Sequence, residues 1–435
     1  MIPGRGLLLL AGTLLAAGLV GALLPALAPL WPWMAAGAAF IGIVDAALVW
    51  RLTPPRCERQ VPGSLSLATW ASVGIELSND SESQTIVAQV YDHHPATVIA
   101  RGLPQNVRIA PGRFALLSYE VRPVERGPMS FERCECRLRS PLRLWWRRVR
   151  VGEATPVRTY PNYSAISKLL AYEVDNRIQA AGLRLSRRRG EGIEFHQLRD
   201  YRDGDGISSI DWKATARVSR LITREYQEER DQQVVFLLDA GRRMLAQDDE
   251  LGHFDHALNG MLLMSFVALR QGDSVGVMTI ADKRTWLPPK KGIGTINSLL
   301  NHVYDVQPKP IDVDYIGAAT DIATRQRRRS LIVILTNARE EDSHDLRTAT
   351  SLLRRRHLVI VASLREQILD QALEQPVNEF NEALRYAATS RYLGLRRESQ
   401  NILRSQGVYV EDCLCHELPA AITNRYLAIK RAGAL

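Results

Sequence analysis

The stretch RDYRDGDGISSIDWKATAR, residues 199–217, sets four carboxylates (Asp200, Asp203, Asp205, Asp211) beside four cations (Arg199, Arg202, Lys213, Arg217) and Trp212. Such a set serves one of three chemistries: a hard-cation loop, paired carboxylates for hydrolysis, or a corner of mutually satisfied ion pairs. Spacing rejects the first. Counted from Asp203, the fifth position of a calcium loop is Ile207 and the twelfth is Ala214, where an oxygen donor and a bidentate Glu are required. The third fits the local pattern. Residues 194–199 alternate as a strand, Gly204 and Gly206 mark a turn, Ser208 and Asp211 have capping-box spacing, and residues 221–226 alternate again. On this reading the charges neutralise one another, and the corner joins extra strands to the sheet that follows. A hydrolase built on Asp203, Asp205 and Asp211 is the competing reading.

Other reactive patterns fail on spacing. No G-x-x-x-x-G-K-[ST] loop occurs, so the chain is not expected to be its own P-loop ATPase. HELPA at His416 lacks the second His of H-E-x-x-H, and GISSI misses the last Gly of G-x-S-x-G. Cys57, Cys134, Cys136, Cys413 and Cys415 lack C-x-x-C zinc spacing; the C-x-C pairs read as alternate positions of strands. No disulfide is expected on the reducing side of a membrane.

The elements that carry these residues begin with two apolar runs, residues 7–24 and 34–50, the second broken only by Asp45. Each is long enough to span a bilayer. Between them PALAPLWPW offers helix-stopping prolines and two tryptophans, Trp31 and Trp33, suited to an interface. A signal peptide, with Arg5 as n-region and Ala26-Leu27-Ala28 as cleavage site, is the weaker reading because a second span follows. Arg5 precedes the first run, Arg51, Arg56 and Arg59 follow the second, and the loop between has no Lys or Arg. The positive-inside rule then puts both termini and the soluble domains in the cytoplasm, at a bacterial inner membrane. Asp45 reads as an end residue snorkelling to the interface, or as a polar contact inside a bundle. Ala38, Gly42 and Ala46 permit close helix packing.

At 435 residues, 46% hydrophobic and 24% charged, the chain should fold into more than one domain. Its net charge of +9 suits an anionic leaflet or nucleic acid without identifying either. Short alternating segments at 72–77, 85–91, 114–121 and 131–138 indicate an antiparallel sandwich. Its end, RLRSPLRLWWRRVR, places Arg143, Trp145, Trp146, Arg147, Arg148 and Arg150, with Arg137 and Arg139, in a membrane-proximal basic patch. Contact with anionic lipid headgroups is one reading and a solvated strand face the other; nucleic acid is not expected. From Gln232 apolar strands alternate with helices, which implies a doubly wound, mostly parallel sheet. Ligands of such sheets sit at the carboxyl ends of strands, which selects Asp239, Thr336 and Asn337.

The run FHQLRDYRDGDGISSIDWKATARVSRLITREYQEER, followed by a strand ending LLDAGRRM, resembles the signature of domain-of-unknown-function family 58. The likeness rests on an R-x-Y-x-x-G-D turn (Arg199, Tyr201, Gly204, Asp205), on I-D-W-K-x-x-A-R (Asp211, Trp212, Lys213, Ala216, Arg217) and on R-E-Y (Arg224, Glu225, Tyr226). It reaches more loosely over nearly the whole chain. The resemblance implies a multi-domain protein: a two-helix transmembrane hairpin over 1–55 (spans about 7–24 and 34–50) and a β-sandwich over 60–155. The motif segment over 156–231 would then lead into a doubly wound von Willebrand A-like α/β domain over 232–435. It further implies a role beside a MoxR-type AAA+ ATPase in chaperone-like assembly or remodelling. With the catalytic motif searches failing, a non-enzymatic membrane scaffold or adaptor for envelope proteins is expected, with other von Willebrand A-like membrane proteins as further partners. The metal site of such domains uses D-x-S-x-S. Here Asp239 is kept, Gly241 and Arg243 replace both serines, and Thr336 and Asn337 stand where an Asp is needed. No metal or cofactor is therefore expected, and Arg243 should occupy the vacated site beside Asp239. A divalent-metal-dependent ligand site is the alternative.

Overall fold

The computed structural model of the protein describes residues 1–24, 29–162, 194–202, 206–227 and 231–435, without the side chains of 194–197, 208 and 225–227. It divides into two compact units, Met1–Tyr160 and Pro161–Leu435, each taken by itself.

The first unit opens with a short strand, β1 (Ile2–Pro3), then helices α1 (Arg5–Leu23) and α2 (Trp31–Trp50). Apolar runs rich in Ala and Leu satisfy their own backbone as helices. Both helices are long and apolar enough to cross a membrane and are consistent with membrane anchoring. Pro32 lies in the first turn of α2, where its missing N–H costs nothing. The small residues Ala38, Gly42 and Ala46 are not closely packed within the hairpin; they line a groove of about 290 Å³ between the helices.

Eleven further strands follow: β2 (Arg56–Gln60), β3 (Ser64–Ser66), β4 (Ala71–Ser78), β5 (Ile86–Tyr91), β6 (Val98–Arg101), β7 (Gln105–Ile109), β8 (Phe114–Pro123), β9 (Gly127–Phe131), β10 (Cys134–Arg139), β11 (Trp145–Val151) and β12 (Thr155–Tyr160). They form sheets of order β1-β11-β10-β5-β7, β2-β4-β8-β6 and β3-β12-β9. Alternation on β5 sends Ile86, Ala88 and Val90 into a core shared with Val73, Ile75 and Leu77. Cys57, Cys134 and Cys136 are free thiols in that core. The single strand expected over 131–138 is two, β9 and β10, interrupted at Glu132 and Arg133.

Hairpin and sandwich are not separate in this unit. Val49 and Leu52 at the end of α2 join the sandwich core, and β1 pairs with β11 ahead of the first helix. Asp45 does not snorkel. Its side chain is fully buried and accepts hydrogen bonds from Ser140 Oγ (2.5 Å) and the backbone N–H groups of Leu142 (2.9 Å) and Leu144 (3.2 Å). The β10–β11 turn thus caps a carboxylate that would otherwise need water. The start of α1 packs on the same turn so closely that a Cβ on Gly4 would lie 2.6 Å from the carbonyl oxygen of Arg143.

In the second unit β13 (Glu194–Asp200) and β14 (Ile222–Gln227) pair antiparallel around α3 (Trp212–Val218). They form their own two-stranded sheet, so they do not extend the larger one as the sequence suggested. The chain continues through β15 (Gln233–Asp239), the short pair β16 (Gln247–Asp248) and β17 (Leu251–Gly252), α4 (His253–Arg270), β18 (Ser274–Ile280), β19 (Thr285–Lys290), α5 (Thr295–Val303) and α6 (Tyr315–Arg325). It ends with β20 (Leu331–Thr336), α7 (Ser343–Arg354), β21 (Leu358–Arg365), α8 (Gln367–Glu374), α9 (Phe380–Ser405), β22 (Tyr409–Leu414) and α10 (Leu418–Arg431). The sheet order is β19-β18-β15-β20-β21-β22, parallel except for the edge strand β19. One face buries Val235, Leu237, Ile332 and Ile334 against α6, α7 and α9. Residues of the other parity, including Phe236 and Val333, are also fully buried, on the side covered by α4 and α10. Strands covered on both faces read as continuous apolar runs for this reason.

Candidate functional site

The chain leaves β15 toward β18 and later returns on its other side at β20, so direction reverses at the carboxyl ends of β15 and β20. In open sheets this crevice is where ligands sit. Asp239 ends β15 there, fully buried. Its Oδ1 accepts from the backbone N–H of Gly241 (2.8 Å), and its Oδ2 accepts from Tyr315 Oη (2.8 Å) and Thr336 Oγ1 (2.6 Å). Burial raises the carboxyl's pKa while these three donors oppose it, and burial pushes the Tyr315 hydroxyl well above its usual value. Both carboxylate oxygens are occupied by the protein, whereas a hard cation needs six or more oxygens. The Gly at 241 is sterically required, since a Cβ would strike Val313 and lie 2.8 Å from the carbonyl oxygen of Ile311. Arg243 does not pair with Asp239. It reaches Glu341 and Asp342 (Nε to Oδ2, 3.1 Å), because the Tyr315 and Thr336 hydroxyls already fill the space beside the carboxylate. Among the described residues no group of three His, Cys, Asp or Glu is placed to hold a metal.

A second node, missed by the sequence reading, lies beside it. Arg396 of α9 is 3% exposed and spans the ends of β20, β21 and β22. It donates to Asp412 Oδ1 (3.0 and 2.8 Å), Asn337 Oδ1 (3.1 Å), Ser363 Oγ (2.7 Å) and the carbonyls of Ala338 (2.9 Å) and Leu364 (2.6 Å). Asn337 in turn donates to Glu366 Oε1 (2.9 Å) and lies 3.3 Å from His253 Nδ1. Burial lowers the pKa of His253, which favours the neutral ring. Burial alone would raise Glu366, but hydrogen bonds from its own backbone and Asn337, with His253 and Arg339 nearby, hold it low. The space beside Arg396 is about 20 Å³, room for a water and not for a substrate. One signal was present: Thr389, Leu393, Arg396, Gln400 and Leu403 form the buried stripe of α9 at helical spacing, with an Arg in an apolar position.

In the motif segment the helix cap is Asp211 itself, not a box opened by Ser208. Asp211 Oδ1 accepts from the N–H groups of Lys213 and Ala214, both at 3.0 Å, and Oδ2 accepts from Arg224 Nε at 2.9 Å. The Arg224 guanidinium holds this carboxyl below the usual range. Asp200 pairs with Arg220 at 3.1 Å. Both partners lie outside 199–217, so these acids are not neutralised by the bases expected. Arg199 donates to its neighbour's carbonyl, and Tyr201 is half-buried. Trp212, Lys213, Ala216 and Arg217 are exposed on α3, Trp212 by 63%. Asp203, Gly204 and Asp205 lie outside the described residues, as do the side chains of Glu225 and Tyr226 on β14.

The basic run of the first unit divides by role. Trp145 Nε1 donates to the Gly42 carbonyl (2.9 Å), and Arg147 caps the carboxyl end of α2 at Trp50 and Leu52 (both 2.9 Å). Arg148 (2.5 Å), Arg137 (3.0 Å) and His93 (3.0 Å) converge on buried Glu135. Arg143 and Arg150 are exposed and Trp146 is half-buried. Burial alone would raise Glu135, but His93, Arg148 and Arg137 hold its pKa down at about 2. Its folded value lies below the unfolded one of about 4.3. It therefore contributes stability above that pH, which is lost as pH falls toward about 2. Thermal melting of the full chain against pH should show this decline, and Glu135→Gln should flatten it.

Solved structures similar to this chain include Salmonella alpha-2-macroglobulin reacted with methylamine, with a TM-score of 0.20, 17% identity and coverage of 25% of this chain and 7% of that one. Proximal thread matrix protein 1 from the mussel byssus gives 0.27, 12%, 47% and 46%. Neither superposition is close enough to bear on the fold. "Uncharacterized protein YeaD" of Bacillus subtilis (strain 168) is 24% identical over 236 residues, 53% of this chain and 55% of its own length. The chain thus spans about half the length of that curated relative. Residues 197–388 match the family model "Protein of unknown function DUF58". This match, beginning in β13 and ending within α9, and the distant Bacillus relative together support the DUF58 family for the segment that carries the motif.

Proposed function

We propose that the chain is a membrane-anchored cytoplasmic scaffold or adaptor, acting through protein–protein contacts with a MoxR-type AAA+ ATPase in assembly or remodelling of envelope proteins. The exposure of the motif helix carries this reading. Trp212, Lys213, Ala216 and Arg217 belong to the family-like signature, yet on α3 they face outward. Trp and Arg are the side chains that dominate interface energies when a partner covers them. The closed crevice supports the same reading, since Asp239 and Arg396 are occupied by the protein's own groups. A largely parallel sheet with one antiparallel edge and helices on both faces supports a von Willebrand A-like module lacking its metal. Photo-crosslinking from position 213 in intact membranes, followed by identification of captured chains, tests the proposal. Capture of an AAA+ ATPase is expected. Trp212→Ala should weaken it about thirtyfold, the effect of losing about 2 kcal/mol at a hot spot, without changing the melting temperature. Capture that excludes an AAA+ ATPase, or that ignores Trp212→Ala, would sink it.

A further inference from the structure

A groove of about 1290 Å³ opens between the five-stranded sheet of the first unit and the start of α1. Strand register explains what lines it. Arg108 on β7 stands opposite Val87 on β5, and Arg139 on β10 stands opposite Trp146 on β11, which pairs with Ile2 of β1. The β10–β5 register continues from Leu138 opposite Ala88, which brings Val87 beside Arg139. Arg108, Val87, Arg139, Trp146 and Ile2 are therefore one row across the sheet, with the two arginines about 10 Å apart at ordinary strand spacing. Arg5 enters from the first turn of α1 and Arg143 from the β10–β11 turn, while Leu9 adds an apolar wall one turn into the helix.

No carboxylate lines the groove. Arg137 also lines the groove, but Glu135, farther along the same sheet face, takes it together with Arg148 and neutralises that end. Among the described residues, no carboxylate lies within ion-pair distance of Arg5, Arg108, Arg139 or Arg143. Four cations thus converge where an apolar helix of bilayer length begins, the level at which lipid phosphates lie. We propose that this groove binds the headgroup phosphate of an anionic phospholipid, with Arg108 and Arg139 gripping the phosphate and the acyl chains leaving along Leu9. The site is independent of any protein partner.

The test uses the full chain in neutral detergent, offered phosphatidylglycerol or phosphatidylcholine, with bound lipid counted by native mass spectrometry. Phosphatidylglycerol should be retained in preference. Arg108→Gln and Arg139→Gln should each weaken its retention about fivefold, and together about twenty-fivefold. Arg150→Gln, on the same face directly opposite Glu135, should change it less than about twofold, and the double Lys variant should retain most of it. Equal retention of the two lipids, an unaffected double Gln variant, or an equal loss with Arg150→Gln would overturn the proposal. So would complete displacement of phosphatidylglycerol by inorganic phosphate, which marks a free-anion site.

Discussion

Replacing Arg396 with Met is expected to destabilise the sheet unit by about 3–5 kcal/mol, the range for breaking a buried charge pair by removing one partner. The guanidinium is 3% exposed and ties Asp412 to Asn337, Ser363 and the carbonyls of Ala338 and Leu364. Met fills similar volume but donates nothing, so the acceptors at the ends of three strands lose their partner together. Arg396→Lys should recover only part of the loss, because one ammonium cannot reproduce a planar fork aimed at several acceptors. Denaturant unfolding of the full chain gives the loss, and hydrogen exchange of the β21 and β22 amides assigns it to this node. A change below about 0.5 kcal/mol, as for an ordinary surface site, would refute the stapling role.

Asp45→Ala separates two physical pictures of the anchor. A carboxylate snorkelling from a span is costly to insert, so removing it should be neutral or favourable. The structure instead has Asp45 accepting from Ser140 Oγ and from the backbone of Leu142 and Leu144. Its loss leaves buried donors without an acceptor, at a cost of about 3–5 kcal/mol. The expected result is release of the β10–β11 turn, read as faster proteolysis around Leu142 and a lower melting temperature in detergent. Asp45→Asn keeps one acceptor oxygen and should fall between the two. Unchanged proteolysis in Asp45→Ala would restore the snorkelling account.

Local patterns were legible where their cause is local. The helices expected between the apolar strands beyond Gln232 are present, among them His253–Arg270 and Tyr315–Arg325, because amphipathic periodicity is a property of consecutive residues. The apolar runs 233–239 and 331–336 are likewise strands buried on both faces. Sequence also singled out Asp239 and Thr336, but not Tyr315, the hydroxyl that joins them across the crevice. Nothing in the spacing of Arg147 told that it caps α2 while Arg148 meets Glu135.

By itself, then, the sequence determined the two apolar helices, the alternation of the sandwich strands, the helix–strand rhythm of the second unit and the presence of the W-K-x-x-A-R signature, though not its exposure. These follow from side-chain type repeated at short intervals. Tertiary structure decided the fate of individual charges. Asp45 meets Leu142 across 97 positions, Arg243 meets Asp342 across 99, and Arg396 meets Asn337 across 59. A buried charge persists only where the fold delivers its partner, and no periodicity encodes a partner that far along the chain.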